Sequence, residues 1–182
     1  MTRSKNQFRK NDLRSIGRSN EIAGDIHSQR EFDLLFKQLH NPERSVAMCA
    51  IDAVEKITTT DFTYLNKHKA EILNFLKTSV NKEFQWHLAI LATRLRLSKI
   101  QQGLVWDQLS RWAIDKNQSR IVRVNSIQGM FNLLDRLPEL RDDLNLTLDK
   151  IEKEEIPSIN ARIRKFRRLG LSLLPLGKFA IS

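Results

Sequence analysis

Asn117-Gln-Ser-Arg-Ile-Val-Arg123 opens an amphipathic run. Openings of the same kind recur at Asn41-Pro-Glu-Arg-Ser-Val-Ala47, Asn81-Lys-Glu-Phe-Gln-Trp-His87 and Ile156-Pro-Ser-Ile-Asn-Ala-Arg162. Aligned on Val46, Trp86, Val122 and Ala161, the steps between them are 40, 36 and 39 residues. Self-similarity at such a period is the mark of stacked helix pairs, each too small to bury its own apolar stripe. The chain therefore reads as all-α, and the function of a stacked array is usually carried by a surface rather than a pocket.

The segments between the openings complete the pairs. Phe32, Leu35, Phe36 and Leu39 space a first outer helix over about Gln29 to Leu39. Asn41 reads as the cap of the first inner helix, with Pro42 in its first turn and Val46, Ala50, Val54 and Ile57 as its stripe. Asp61 reads as the cap of the next outer helix, on Leu65, Ile72, Phe75 and Leu76. Asn81 caps the second inner helix, on Trp86, Ile90, Leu91 and Leu95, and Ser98 opens an outer helix on Val105, Leu109 and Trp112. Asn117 reads as the cap of the third inner helix, on Val122, Met130, Leu134 and Leu137, which Pro138 ends. Leu140 to Ile151 forms the last outer helix, and Pro157 starts the last inner one on Ile159, Ile163, Phe166 and Leu169, with Gly170 as its stop. Residues 1–27 read as a basic flexible arm with at most a short helix around Leu13 to Ile26, 28–170 as the repeat domain, and 171–182 as a short tail.

This pattern resembles HEAT repeats over about residues 29 to 169. In that family an inner helix carries an acidic or amide cap, then an aliphatic residue and an Arg five and six positions later. Asn117, Val122 and Arg123 match; Asn81, Trp86 and His87 match with His for Arg; Asn41, Val46 and Ala47 lack the cation; Ala161 and Arg162 match with Ile156 in place of the cap. The wording Trp86-His-Leu-Ala, Ser119-Arg-Ile-Val-Arg and Ala161-Arg-Ile-Arg-Lys is similar to that of small bacterial HEAT proteins. The resemblance implies a right-handed α-solenoid of about four stacked helix pairs, HEAT/armadillo-like, and no particular activity. It also implies that Arg123, Arg162 and His87 form a ladder between repeats. Helical geometry agrees, since Arg123 falls beside Met130 and Leu134 on the apolar stripe.

Hydrophobic content of 41% in 182 residues supports one continuous core, while six glycines and four prolines are too few for a turn-rich β architecture. The single Cys49 forms no intrachain disulfide, no apolar run reaches membrane-spanning length, and a cytoplasmic protein is expected. The net charge of +10 sits at the two ends. Residues 1–30 hold seven Lys/Arg against three Asp/Glu, residues 160–182 hold six and no acid, and the middle holds 18 of each sign.

Two surfaces follow. The exposed side of the third inner helix should carry Ile121, Val124, Asn125, Gln128 and Asn132 beside Asp135, a mildly adhesive strip suited to a protein partner. Arg164, Lys165, Arg167 and Arg168 form a dense basic segment, joined by Arg3, Lys5, Arg9 and Lys10, that suits phosphate contact by a nucleic-acid-associated module. The neutral middle favours a non-enzymatic protein-interaction scaffold. Its four histidines are dispersed, so no metal is expected, and no catalytic motif or cofactor loop is present. HEAT-like alkylbase DNA glycosylases hold an extruded base with aromatics and an acid, for which Trp106 with Asp107 and Trp112 with Asp115 are the available pairs. Both tryptophans lie on an outer helix, where aromatics usually fill the core.

Overall fold

The computed structural model describes residues 15–168, with side chains from residue 18, and is helical throughout that span with no strand. Nine α-helices follow in order: α1 Ser15–Asp25, α2 Gln29–Lys37, α3 Arg44–Thr60, α4 Lys69–Thr78, α5 Lys82–Arg94, α6 Lys99–Ile114, α7 Arg120–Leu133, α8 Arg141–Glu152 and α9 Pro157–Phe166. Short 3-10 turns at Gln38–His40, Phe62–His68 and Pro138–Leu140 lead out of α2 and into α4 and α8.

Local chemistry sets most of the starts. The Asn81 carboxamide accepts from the backbone N–H groups of Glu83 and Phe84, satisfying two of the donors a helix leaves unpaired at its N-terminus. Ser98 and Gln101 form a reciprocal capping box on α6. Pro157 occupies the first turn of α9, where its missing N–H costs no helical bond.

Two expected caps move. The Asn41 side chain accepts from Glu43 N in a local turn, so α3 starts after Glu43, and Pro42 stays outside the helix. Near α7, Asn117 is held in a turn by Asp115, and Ser119 is the cap, its hydroxyl accepting from Val122 N. At α7 the competent cap three residues before the buried Val122 captures the free N–H, whereas at α3 Glu43 holds the cap position with no side-chain bond. Asp61 does cap, but it starts the 3-10 segment, and α4 begins only at Lys69. Leu169 and Gly170 lie outside the described residues.

The odd-numbered helices pack in sequence, α1 on α3, α3 on α5, α5 on α7 and α7 on α9, while α4, α6 and α8 pack on one another and on the odd helices between them. One hydrophobic cluster runs from Ile22 on α1 to Phe166 on α9. Val122 and Met130 are fully buried within it, and Val46 is buried too. Each fully buried aliphatic of this kind contributes roughly 1.5–3 kcal/mol. Trp86 and Ile90, expected in the core, are only partly buried. The apolar floor of α5 is Phe84, Leu88, Leu91 and Leu95 instead, about half a turn round the helix from Trp86.

Within the region read as an arm, α1 is a packed element. Ile22 is buried against the core, and the buried Ser19 hydroxyl donates to Asp52 (2.5 Å) while accepting from Lys56 Nζ (2.6 Å) on α3. Gly129 on α7 marks a close helix contact. A Cβ there would stand 2.6 Å from the Ala89 carbonyl oxygen and 2.8 Å from Leu109 Cδ1, so only glycine lets α7 lie this near α5.

Candidate interaction surface

Helical geometry gives the odd helices one side that faces away from the even helices. On α7 this side carries Ile121, Asn125, Gln128 and Asn132, and on α5 it carries Trp86 and Ile90. Ile121 is 44% exposed, Asn132 is exposed, and Asn125 and Gln128 are half-buried. Val124, like Trp86, is partly buried and packs against the core, so both contribute to the strip only in part.

Two of the amides are already engaged in joining neighbours. Asn125 Nδ2 donates to the Trp86 carbonyl (3.2 Å), and Gln128 accepts from Arg162 Nη1 (2.7 Å) while donating to Asn132 (2.8 Å). Trp86 is therefore brought beside the α7 strip, its ring edge-on to His87. Stripe spacing hid this residue; the signal that could have found it is the pair of stripes at 84/88/91/95 and 85/89/92, which leaves 86 and 90 outward.

Side-chain bridges between residues 32 to 41 positions apart recur along the odd helices. His87 Nδ1 pairs with Glu55 (2.5 Å), Arg94 donates to the Glu55 carbonyl (2.5 Å) and Thr58 (2.7 Å), and Arg136 donates to the Leu95 carbonyl (2.8 Å). Burial pulls the Arg94 guanidinium below its ordinary pKa, partly opposed by Glu55. Arg123 is the most committed member at 1% exposure. Its Nε donates to the Ala113 carbonyl (2.8 Å), and its two terminal nitrogens clasp Glu154 at 2.8 and 3.0 Å. That fork holds the Glu154 carboxyl below its usual range. Arg123 thus ties the end of α6 to the α8–α9 turn through α7. Arg162 instead reaches α7 and lies 6.0 Å over the Phe166 ring, which itself stacks on Phe131 at 4.5 Å.

The basic segment is uneven. Arg164, Lys165, Arg167 and Arg168 are all exposed, but Arg167 pairs with Asp149 (2.6 Å) and Glu152 (2.7 Å) on α8. Arg3, Lys5, Arg9 and Lys10 lie outside the described residues.

The histidines are less scattered in space than in sequence. His68 Nε2 meets Asp33 (2.8 Å) and stacks on Phe36 with ring centroids 3.9 Å apart, while Glu71 pairs with His40. Hydrogen bonds from Lys67, then Gln29 and His68, hold Asp33 far below the usual carboxylate range, against the effect of burial. Apart from Gln29, these partners lie 31 to 35 residues apart in sequence. No cluster of three or more metal-ligating groups occurs among the described residues.

Trp106 and Trp112 are each 6% exposed, and the Trp106 indole N–H donates to Asp143 (2.8 Å). Asp107 pairs with Arg111 along the exposed side of α6, and Asp115 holds the following turn. Neither tryptophan offers a free ring face beside its acid. The most exposed aliphatics lie off the odd helices: Val80 (90%) in the α4–α5 turn, Ile100 (80%) and Leu104 (63%) on α6, and Leu146 (70%) on α8. No described helix is long and apolar enough to cross a membrane. No family model matches the chain, and neither does any curated protein or solved structure.

Proposed function

We propose that this chain is a HEAT-like, right-handed α-solenoid of about four stacked helix pairs that serves as a non-enzymatic, cytoplasmic protein-interaction scaffold. The partner lies on the outward side of the odd helices. One observation carries the reading: Trp86 and Ile90 stay partly exposed and Ile121 exposed on a side two of whose amides are fixed by bridges between helices. A tryptophan packed against the core along one edge and partly open to solvent along the other is the kind of residue that dominates binding energy, because it adds contact area at little entropic cost. The bridges keep neighbouring helices in register, so the strip is preorganised and loses little freedom on binding.

The resemblance to HEAT inner helices, and bridges spanning about one repeat, support the solenoid. Replacing Trp86 and Ile121 by Ser should abolish capture of the partner while leaving the melting temperature near wild type. Replacing Ile100 and Leu104 by Ser should leave capture intact. The opposite pattern would move the surface to the even helices and defeat the reading.

A second reading, phosphate contact by a nucleic-acid-associated module, draws on the exposed Arg164, Lys165 and Arg168. The ion pairs of Arg167 weaken it, since two carboxylates stand within that patch.

A further inference from the structure

Where the ends of α6 and α8 meet the start of α9, a cleft of about 440 Å³ opens to the surface. That volume falls within the range of small-ligand sites. Ile151 is fully buried at its base, with Ile114 and Ile156 along the walls, and Ile114 keeps 37% of its surface exposed. Around this apolar floor stand Lys116, Lys150 and Lys153, all exposed. None of the three has a carboxylate within ion-pair distance among the described residues. The only acid in the lining is Glu154, and the buried fork of Arg123 neutralises it. The cleft therefore gathers three lysines over an aliphatic floor against a single acid, Glu154, which Arg123 already clasps and on which Lys116 and Lys150 also act, in a part of the chain whose overall charge is balanced.

Charge alone would also suit a polynucleotide, but the surroundings do not. Asp149, Glu152, Glu155 and Arg167 line the adjoining groove, which shares Lys153; Arg167 pairs with the first two acids, so a long polyanion laid across the cleft would still meet the Glu155 carboxylate in a groove with more acids than cations. A short segment that places one acid in the cleft avoids that groove. We propose that this cleft docks a short acidic–aliphatic segment of a partner protein: an Asp or Glu carboxylate held among Lys116, Lys150 and Lys153, with its aliphatic neighbour on Ile114 and Ile156. The inference rests on the scaffold reading and names the partner's chemistry, at a place separate from the Trp86 strip.

The test is selection of a displayed random heptapeptide library on the full-length protein, in parallel with the K116Q/K150Q/K153Q variant. Surface Lys→Gln changes are not expected to unfold the chain, and K150E alone serves as a second variant. Wild type should enrich peptides with Asp or Glu next to Leu, Ile or Phe. A synthetic peptide of that kind should bind at least tenfold more weakly to the triple variant and to I156S, with affinity falling as salt rises. Peptides enriched without an acid, or equally on the triple variant, would overturn the cleft. If such acid-free peptides lost binding on Trp86→Ser, the scaffold reading would survive alone. If nothing were enriched on wild type, both would fall. A 20-nucleotide single-stranded DNA that bound wild type and lost affinity in the triple variant as the peptide should would overturn the cleft in favour of a polyanion.

Discussion

Replacing Gly129 by Ala tests how closely the odd helices are packed. In a helix interior the change alone favours folding by about 0.5–1 kcal/mol, since Ala loses less backbone entropy. Here the new Cβ would stand 2.6 Å from a backbone oxygen of α5, against an ordinary contact of at least 3.4 Å. The Ala89 carbonyl cannot rotate away as a side chain could, so α5 and α7 must part by several tenths of an ångström. Overpacking of this kind costs roughly 1–3 kcal/mol, with the upper part of the range expected where backbone is the obstacle. The net effect is a loss of about 1–2 kcal/mol, or about 2–8 °C in Tm for a chain of this size. Gly103 on α6 is the internal control, because nothing lies within 4 Å of a Cβ there. Gly103→Ala should raise Tm by about 1–4 °C. Thermal melts followed at 222 nm, with urea titrations for each variant, give both values. If Gly129→Ala is neutral or stabilising like Gly103→Ala, the α5–α7 packing described above is wrong. Adding Leu109→Ala should not rescue Gly129→Ala, since the obstructing oxygen would remain.

Arg123→Ala should cost about 2–4 kcal/mol by stranding Glu154 and the Ala113 carbonyl, and a double-mutant cycle with Glu154→Gln should return a coupling of at least about 0.5 kcal/mol. A coupling near zero would remove the fork as a stabilising element. The carboxyls of Glu154 and Asp33 lie below their ordinary values in the folded chain, so their contribution is intact above about pH 4.5 and is lost as pH falls below about 4 through each folded pKa. Urea midpoints should therefore be flat from pH 7 to 5 and drop below pH 4, with Glu154→Gln showing a shallower drop. Any nucleic-acid binding should be insensitive to sequence and fall steeply with salt. Replacing Arg164, Lys165 and Arg168 by Ser should flatten its log–log slope, whereas Arg167→Ser should mainly loosen α9 from α8.

The helices were legible because they are written twice, in cap chemistry and in hydrophobic period. Asn81, Ser98 and Pro157 mark helix starts by satisfying or omitting backbone donors, and these are local effects that a sequence displays. Asn117 misled because a second cap-competent residue, Ser119, lay two positions on, and Asn41 because its side chain is used in a turn with Glu43 N, which leaves α3 to start without a side-chain cap. Trp86 misled for a different reason. A helix flanked on several sides buries most of its circumference, so its one outward strip is the weaker signal, and the bulkiest apolar residue is not the most buried. Arg123 was correctly placed on the stripe, but its partner Glu154 lies 31 residues away and had no local mark. The cleft lysines were invisible for the same reason, since Lys116 meets Lys150 and Lys153 only once α6 and α8 are packed.

The central claim, that the outward side of the odd helices is the binding surface, is tested most directly by site-resolved photocrosslinking. A photoreactive residue placed at Ile121, next to Trp86, and another at Leu104, on the even side, would each be irradiated in lysate of the source cell. Bound species would then be identified by mass spectrometry. The account predicts a discrete protein crosslinked from Ile121, absent from Leu104, and lost on Trp86→Ser. The same protein from Leu104, or nucleic acid alone from either position, would contradict it.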